Sequence, residues 1–140
     1  MSLGYAGDLT PTEAWQKLAT LPRAVLVDVR TQAEWSYVGL PDLSSIAKPV
    51  HKLSWQVFPE MAVNPGFVDG IKAAGIAPDQ PILLLCRSGV RSVAAAKALT
   101  EQGFTQCYNV RDGFEGPGDG EKHRGRVSGW KVEGLPWIQG

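Results

Sequence analysis

The chain has 140 residues, of which 44% are hydrophobic and 20% are charged, a composition typical of a globular protein with its own buried core. Its 14 basic and 14 acidic residues cancel, which argues against a nucleic-acid partner or an anionic membrane surface. Its 2 cysteines are too few for a disulfide framework or a cysteine metal site, and no apolar run reaches membrane-spanning length. We expect one domain over residues 1–140 in a reducing cytoplasm, with residues 1–4 a tag or a disordered end.

The N-terminal part of the chain predicts two strands and a helix. Residues 5–9 form a short candidate strand, and Thr10-Pro11-Thr12-Glu13 is a capping box with proline at the first helical position. A helix should therefore begin within this box and end at Leu21-Pro22. Residues 24–30 are a β-branched apolar run that predicts a buried strand, and a second capping box follows at residues 31–34.

The middle of the chain is less regular. Residues 45–50 predict a strand whose proline places its end near a sheet edge. Residues 51–66 are either a lid or pocket wall, or a long connection whose aromatic side chains fill the core. His51 is a candidate acid–base group, although a lone histidine after a strand more often has a structural role. A helix capped by Asn64-Pro65 should follow and end at Gly75.

Residues 81–103 predict a strand, a tight loop and a helix. A short unbroken apolar run follows Pro81 and ends at Cys86, which is typical of a strand buried on both faces. Residues 93–102 are rich in strong helix formers, and Gly103 stands where helices commonly end. Cys86 should therefore lie on a loop in front of a helix N-terminus, where unpaired N–H groups and the helix dipole favour an anion.

This loop has the residue types of a reactive thiol site. Arg87 and Arg91 would favour the thiolate form of Cys86, which is the nucleophile, and guanidinium groups can also hold an oxyanion. Most cysteines at strand ends are inert small hydrophobes, but an inert cysteine needs neither the arginines nor Gly89. We predict that Cys86 is a nucleophile for an anionic substrate. Cys107, in the middle of the last predicted strand, should be buried and inert.

Helices alternate with short buried strands, so the predicted fold class is three-layer α/β, with a small parallel sheet of about five strands flanked by helices. In such a sheet Asp28 and Arg30, at the end of their strand, lie at the same edge as Cys86. Asp28 then either pairs with a loop arginine and fixes the loop, or forms an ion pair with Arg30 that has no catalytic consequence.

Two segments carry a resemblance to a known family. The residues Cys86-Arg87-Ser88-Gly89-Val90-Arg91-Ser92 closely resemble the active-site loop of the rhodanese (thiosulfate sulfurtransferase) family, and Leu26-Val27-Asp28-Val29-Arg30 resembles its second signature. Residues 38–42 keep the glycine and proline of a further family turn but lack its usual histidine, and Asp112 replaces a glycine that is common after the last strand. The resemblance covers nearly the whole chain and implies a single-domain rhodanese-like fold.

The resemblance also implies a sulfurtransferase. In this family the cysteine takes a sulfane sulfur from thiosulfate or a similar donor as a persulfide and passes it to cyanide or a thiol. Carried over to this sequence, the catalytic residue is Cys86, the substrate-binding residues are Arg87, Ser88, Gly89, Val90 and Arg91, and the supporting residues are Asp28, Arg30 and Ser92. The implied partners are a small anionic sulfur donor and a thiol or cyanide acceptor, or a protein that accepts sulfur, with no metal or organic cofactor.

Two other functions stay open. One is a persulfide-carrier or protein-binding module with negligible turnover of thiosulfate. The other is a phosphatase or arsenate reductase of the same fold, which the loop length disfavours: four residues separate Cys86 from Arg91, whereas the related phosphatases have a longer loop. Residues 116–129 predict a flexible loop whose basic cluster either borders the site or is a solvated surface.

Overall fold

The computed structural model describes residues 5–30, 35, 40–57, 62–63, 66–86, 90–111, 114, 130 and 135–138. Its strands are Gly7–Leu9 (β1), Val25–Asp28 (β2), Leu40–Pro41 (β3), Val50–Lys52 (β4), Gln56–Val57 (β5), Ala62–Val63 (β6), Ile82–Leu85 (β7), Cys107–Val110 (β8) and Trp137–Ile138 (β9). Its helices are Pro11–Thr20 (α1), Phe67–Ala73 (α2) and Val90–Glu101 (α3), and a 3-10 turn spans Ser44–Ile46. Within these described ranges no helix has the length and apolar character needed to cross a membrane.

A five-stranded parallel sheet, in the order β1-β8-β7-β2-β4, forms the centre of the molecule. Its middle strand, β7, is an unbroken run of four apolar residues that are all buried, as expected for a strand covered on both faces. The short strands β3 and β9 form a separate antiparallel pair, as do β5 and β6. The predicted small parallel sheet is confirmed.

Each face of the sheet has its own core, because successive side chains of a strand point to opposite faces. On one face, Leu84 of β7 belongs to the same buried cluster as Phe67 of α2 and Leu99 of α3. On the other face, Leu83 belongs to a cluster that includes Leu18 of α1. Helices therefore cover both faces of the sheet, which confirms the predicted three-layer α/β architecture.

The start of α1 and the glycines after α2 and α3 lie where the sequence predicted them. At the start of α1, the backbone N–H of Glu13 donates to Thr10 Oγ1 (3.1 Å), and the N–H of Thr10 donates to Glu13 Oε1 (2.8 Å). This is the expected capping box. After α2 and α3, Gly75 and Gly103 adopt φ angles of 82° and 98°, a left-handed conformation that a side chain disfavours.

The predicted strand over residues 45–50 is wrong. Its first part is the 3-10 turn, which ends where Ala47 turns left-handed with φ of 55°. Pro49 has no N–H to donate to a neighbouring strand, and β4 begins only at Val50. The proline did indicate a sheet edge correctly, because β4 is an outer strand of the sheet.

The predicted cap of α2 is also wrong. The N-cap residue is Gly66, which follows the predicted Asn64-Pro65. Glycine at an N-cap costs only a few tenths of a kcal/mol relative to the best capping residues, so the backbone can start the helix there at little penalty. Asn64-Pro65, the second capping box at residues 31–34, the loop over residues 116–129 and residues 1–4 lie outside the described residues.

Candidate active site

Cys86 lies directly after the last residue of β7, and α3 begins four residues later at Val90. The cysteine is 1% exposed. Leu85, the residue before it, is in register with Asp28 at the end of β2, so the ends of the two strands lie side by side. The predicted strand and helix on either side of Cys86 are therefore confirmed, although the helix begins at Val90 and so includes Arg91 and Ser92, which the sequence interpretation placed before it.

The loop residues Arg87, Ser88 and Gly89 lie outside the described residues, so their predicted roles in substrate binding stay predictions. Val90 is the first residue of α3, and Arg91 follows it in the first turn, where its side chain is half-buried. The first turn of a helix carries unpaired backbone N–H groups and a partial positive charge. The start of α3 therefore supplies an electropositive environment close to Cys86.

Asp28 and Arg30 form a buried ion pair at the end of β2, and both residues are 0% exposed. Arg30 Nη2 donates to Asp28 Oδ2 (2.7 Å), and Arg30 Nε donates to Asp28 Oδ1 (2.9 Å). The backbone N–H of Arg30 also donates to Asp28 Oδ1 (3.1 Å). Of the two arrangements predicted for Asp28, the structure has the pair with Arg30, which satisfies a buried charge. The supporting role of the pair stays a prediction.

Phe114 connects this ion pair to Cys86, and the sequence interpretation did not include it. Its backbone N–H donates to the carbonyl oxygen of Cys86 (2.8 Å). Its ring lies against the Arg30 guanidinium, with 4.4 Å from Cζ to the ring centroid, a distance typical of a cation–π contact. Phe114 therefore contacts both the backbone of the nucleophile candidate and the buried arginine.

The segment after β4 hydrogen-bonds to the end of β2 on the side away from β7. The N–H groups of Leu53 and Trp55 donate to the carbonyl oxygens of Asp28 and Val29 (both 3.0 Å), and Ser54 Oγ donates to the carbonyl of Arg30 (2.8 Å). The Trp55 ring packs edge-on against Phe67 of α2, with 5.2 Å between the centroids. This described part of the segment thus fills the core, as one of its two interpretations predicted.

His51, the other candidate in this region, is half-buried within the edge strand β4. It is in register with Val27 of β2. Its position inside a strand agrees with the structural role that the sequence favoured.

A chain of hydrogen bonds runs from Cys86 to the first strand of the sheet. Cys86 Sγ lies 3.2 Å from Ser92 Oγ in α3, and Ser92 Oγ donates to Asn109 Oδ1 in β8 (2.5 Å). Asn109 Nδ2 donates to Asp8 Oδ1 in β1 (2.9 Å), and the Tyr5 hydroxyl donates to the same oxygen (2.8 Å). Burial and then the neighbouring Asp8 raise the pKa of Tyr5.

Ser92 was predicted as a supporting residue, and the structure places it next to Cys86. Asn109 and Asp8 were missed. A signal for Asn109 was present in the sequence, because it lies two positions after Cys107 and so on the same face of a buried strand, where a polar side chain needs a partner. Asp8 had no such signal, since it is exposed on a strand of three residues.

Cys107 is 0% exposed, and burial raises the pKa of its thiol to about 11, so the thiol stays protonated at neutral pH. In β8 it is in register with Ile82 of β7, at the opposite end of the sheet from Cys86. Its prediction as a buried residue is confirmed.

In the part of the chain that the structure describes, no cluster of three or more His, Cys, Asp or Glu side chains could hold a metal ion.

Comparison with known proteins gives matches over nearly the whole chain. A family model described as the STR4 middle domain matches residues 7–140. The crystal structure of Rv0390 from M. tuberculosis is similar, with a TM-score of 0.88 and 50% sequence identity over 97% of this chain and 99% of that one.

Two curated proteins extend this comparison. The chain is 38% identical over 130 residues to the uncharacterized protein RC0915 of Rickettsia conorii, covering 93% of this chain and 95% of that protein. It is 30% identical over 129 residues to thiosulfate sulfurtransferase GlpE of Actinobacillus succinogenes, covering 92% of this chain and 87% of that protein.

Proposed function

This chain belongs to the rhodanese-like family, and we propose that within it the protein is a sulfurtransferase that carries a sulfane sulfur as a persulfide on Cys86. The observation that carries the proposal is the position of the Cys86 thiol, at the end of a buried strand, in front of a helix and 3.2 Å from Ser92 Oγ. A cysteine that served only as packing would need no such surroundings. A relative at 30% identity bears the name thiosulfate sulfurtransferase, which supports thiosulfate as the donor class.

The proposed reaction has two steps, and each balances without an external oxidant or reductant. The Cys86 thiolate attacks the outer sulfur of thiosulfate, a new S–S bond forms, and sulfite leaves with the electron pair of the broken bond. Cyanide or a thiolate then attacks the outer sulfur of the persulfide, and Cys86 leaves as a thiolate. The products are thiocyanate or a new persulfide, and a covalent intermediate of this kind gives ping-pong kinetics.

The charges near Cys86 suit both anionic sulfur species. The N-terminus of α3 favours a thiolate or persulfide in front of it, since its N–H groups and its dipole point toward negative charge. We assign the binding of the donor's oxygens to Arg91, in the first turn of α3, and to Arg87, because a guanidinium can hold an oxyanion with two parallel hydrogen bonds. The Asp28–Arg30 pair then supports the strand end beside Cys86.

Mass spectrometry of the thiosulfate-treated protein tests the proposal. The tryptic peptide that contains Cys86 should gain the mass of one sulfur atom, and cyanide should remove that sulfur as thiocyanate. The Cys107→Ser variant should behave like wild type, whereas Cys86→Ser should give neither product. If Cys86 gained no sulfur at any thiosulfate concentration and the protein turned over an aryl phosphate in a Cys86-dependent way, phosphatase activity would be the better assignment. A sulfur adduct that cyanide removes only slowly would instead favour a carrier that delivers sulfur to a protein.

A further inference from the structure

Ser92 has one hydroxyl proton and two neighbours that can accept it. One is Asn109 Oδ1, at 2.5 Å, and the other is Cys86 Sγ, at 3.2 Å, when the thiol is ionised. A serine hydroxyl can donate only one hydrogen bond at a time. The two acceptors therefore compete for the same proton.

Asp8 sets the orientation of the Asn109 side-chain amide. An ionised carboxylate only accepts hydrogen bonds, and Asp8 Oδ1 accepts one from the Tyr5 hydroxyl and one from Asn109 Nδ2. With its amide nitrogen directed to Asp8, Asn109 presents its oxygen to Ser92. The Ser92 proton then goes to Asn109, and Ser92 Oγ is left as an acceptor for the S–H of Cys86.

The thiol form of Cys86 satisfies every member of this chain. When Cys86 loses its proton to solvent, Ser92 Oγ either keeps a lone pair toward the thiolate, which is repulsive, or turns its hydroxyl from Asn109 to the sulfur. The amide oxygen of Asn109, a residue that is only 4% exposed, then loses its donor. A buried acceptor left in this way is costly, so both arrangements are less favourable than that of a serine with no second acceptor.

We propose that Asn109, held in one orientation by Asp8, is a positioning residue. It keeps the Ser92 hydroxyl proton directed away from Cys86 and so disfavours the ionisation of Cys86. The inference rests on the proposed function only in that Cys86 is its nucleophile. It adds two residues outside the loop, from strands β8 and β1, to the control of that nucleophile.

Charge alone is the competing explanation, and it has to be separated from hydrogen bonding. Charged groups on the elements around Cys86 include the Asp28–Arg30 pair at the end of β2 and Arg91 at the start of α3. Asp8 is exposed, and its negative charge could also disfavour a thiolate through space. A charge effect would not require Asn109, whereas the proposed effect of Asp8 acts only through Asn109.

The test is the pH dependence of alkylation by iodoacetamide, measured on Cys86 in a Cys107→Ser background. Asn109→Leu removes the competing acceptor, and Asp8→Ala lets the amide turn so that its nitrogen donates to Ser92. Each should move the midpoint of the alkylation profile to lower pH by about one unit, roughly tenfold in the ionisation equilibrium. Asp79→Ala is the matched control, because it removes an exposed carboxylate that pairs with Arg23 on the surface, and its midpoint should stay at that of wild type.

The double variant separates the two explanations. In the Asn109→Leu background, Asp8→Ala should cause no further change, since its route to Cys86 is already broken. An equal shift in both backgrounds would overturn the proposal in favour of charge, and so would an unchanged or raised midpoint in Asn109→Leu. If Asn109→Leu does not fold, Ser92→Ala takes its place, and there too Asp8→Ala should have no effect.

The alkylation measurement needs no sulfur donor, so the two proposals can fail independently. Shifted midpoints in a protein that forms no persulfide would leave this inference intact and remove the proposed function. Normal persulfide formation with unshifted midpoints would support the proposed function and overturn this inference.

Discussion

Asp28 and Arg30 are joined side chain to side chain in the interior of the protein, with 2.7 Å between Oδ2 and Nη2 and neither residue exposed. The strand end that carries them is bonded on both sides. Leu85 accepts a hydrogen bond from the N–H of Val29, and Leu53 donates to the carbonyl of Asp28. The pair therefore lies on a strand end that is held from both sides, next to the strand that positions Cys86.

Removal of the carboxylate should destabilise the fold strongly. In Asp28→Ala, the guanidinium of Arg30 stays buried after losing the carboxylate that neutralises it, and the free energy of unfolding should fall by about 3–5 kcal/mol. Urea unfolding followed by circular dichroism measures the change. Asp79→Ala, which breaks the exposed pair with Arg23, should cost less than about 1 kcal/mol. Similar small losses in both variants would show that the buried pair does not hold the strand end.

Because of Cys107, the free energy of unfolding should depend on pH in the alkaline range. Burial raises the pKa of its thiol from 9.0 to about 11 in the folded state. The folded protein thus keeps a proton that the unfolded chain loses, so this stabilisation is complete below about pH 9 and is lost as the pH rises to about 11. In that window the free energy of unfolding of wild type should fall by about 1.4 kcal/mol per pH unit relative to Cys107→Ala. Parallel slopes in urea titrations of the two proteins would contradict the prediction.

The two cysteines should differ in activity as well as in burial. Cys86→Ser should abolish transfer of sulfur from thiosulfate to cyanide, because a hydroxyl cannot form a persulfide. Cys107→Ser should keep most of the activity, since Cys107 lies at the other end of the sheet. Thiocyanate formation measures both variants, and circular dichroism establishes that both are folded. Equal losses of activity in two folded variants would refute this division of roles.

Arg91→Ala should weaken the use of thiosulfate. A guanidinium that binds the donor's oxyanion contributes a charged hydrogen bond of roughly 1.5–3 kcal/mol, so its removal should lower kcat/KM by about one to two decades, mainly through KM. Steady-state kinetics with thiosulfate and cyanide measures the effect. Arg23→Ala, which removes an exposed arginine from a surface pair, is the control and should match wild type. Arg87→Ala should have a smaller effect than Arg91→Ala.

The parts of the fold that depend on neighbouring residues could be predicted from the sequence. The capping box of α1 needs only Thr10 and Glu13, which lie three positions apart. The central strand and α3 follow from a continuous run in which apolar residues, Cys86 and helix formers occur in turn. The predicted strand at residues 45–50 failed because the backbone of Ala47 and the missing N–H of Pro49 outweighed its apolar residues.

The hydrogen-bond chain behind Cys86 could not be predicted in the same way. Asn109 meets Asp8 across 101 positions of sequence, and it does so only because β1 joins the sheet beside β8. Strand order results from the packing of the whole domain, and no local pattern in a strand as short as β1 encodes it. Phe114 was missed for a similar reason, since its contact with Arg30 depends on where the chain passes after β8.

The register of β7 and β8 also determines how this protein can recover from oxidation. Cys107 is level with Ile82, four residues before Cys86, which places the two cysteines about 13 Å apart along the strands, well beyond the reach of about 7 Å between Cα atoms in a disulfide. The sequence has only these two cysteines. A sulfenic acid formed on Cys86 by peroxide would therefore find no resolving thiol among these 140 residues, so recovery through a disulfide would need a thiol from another molecule.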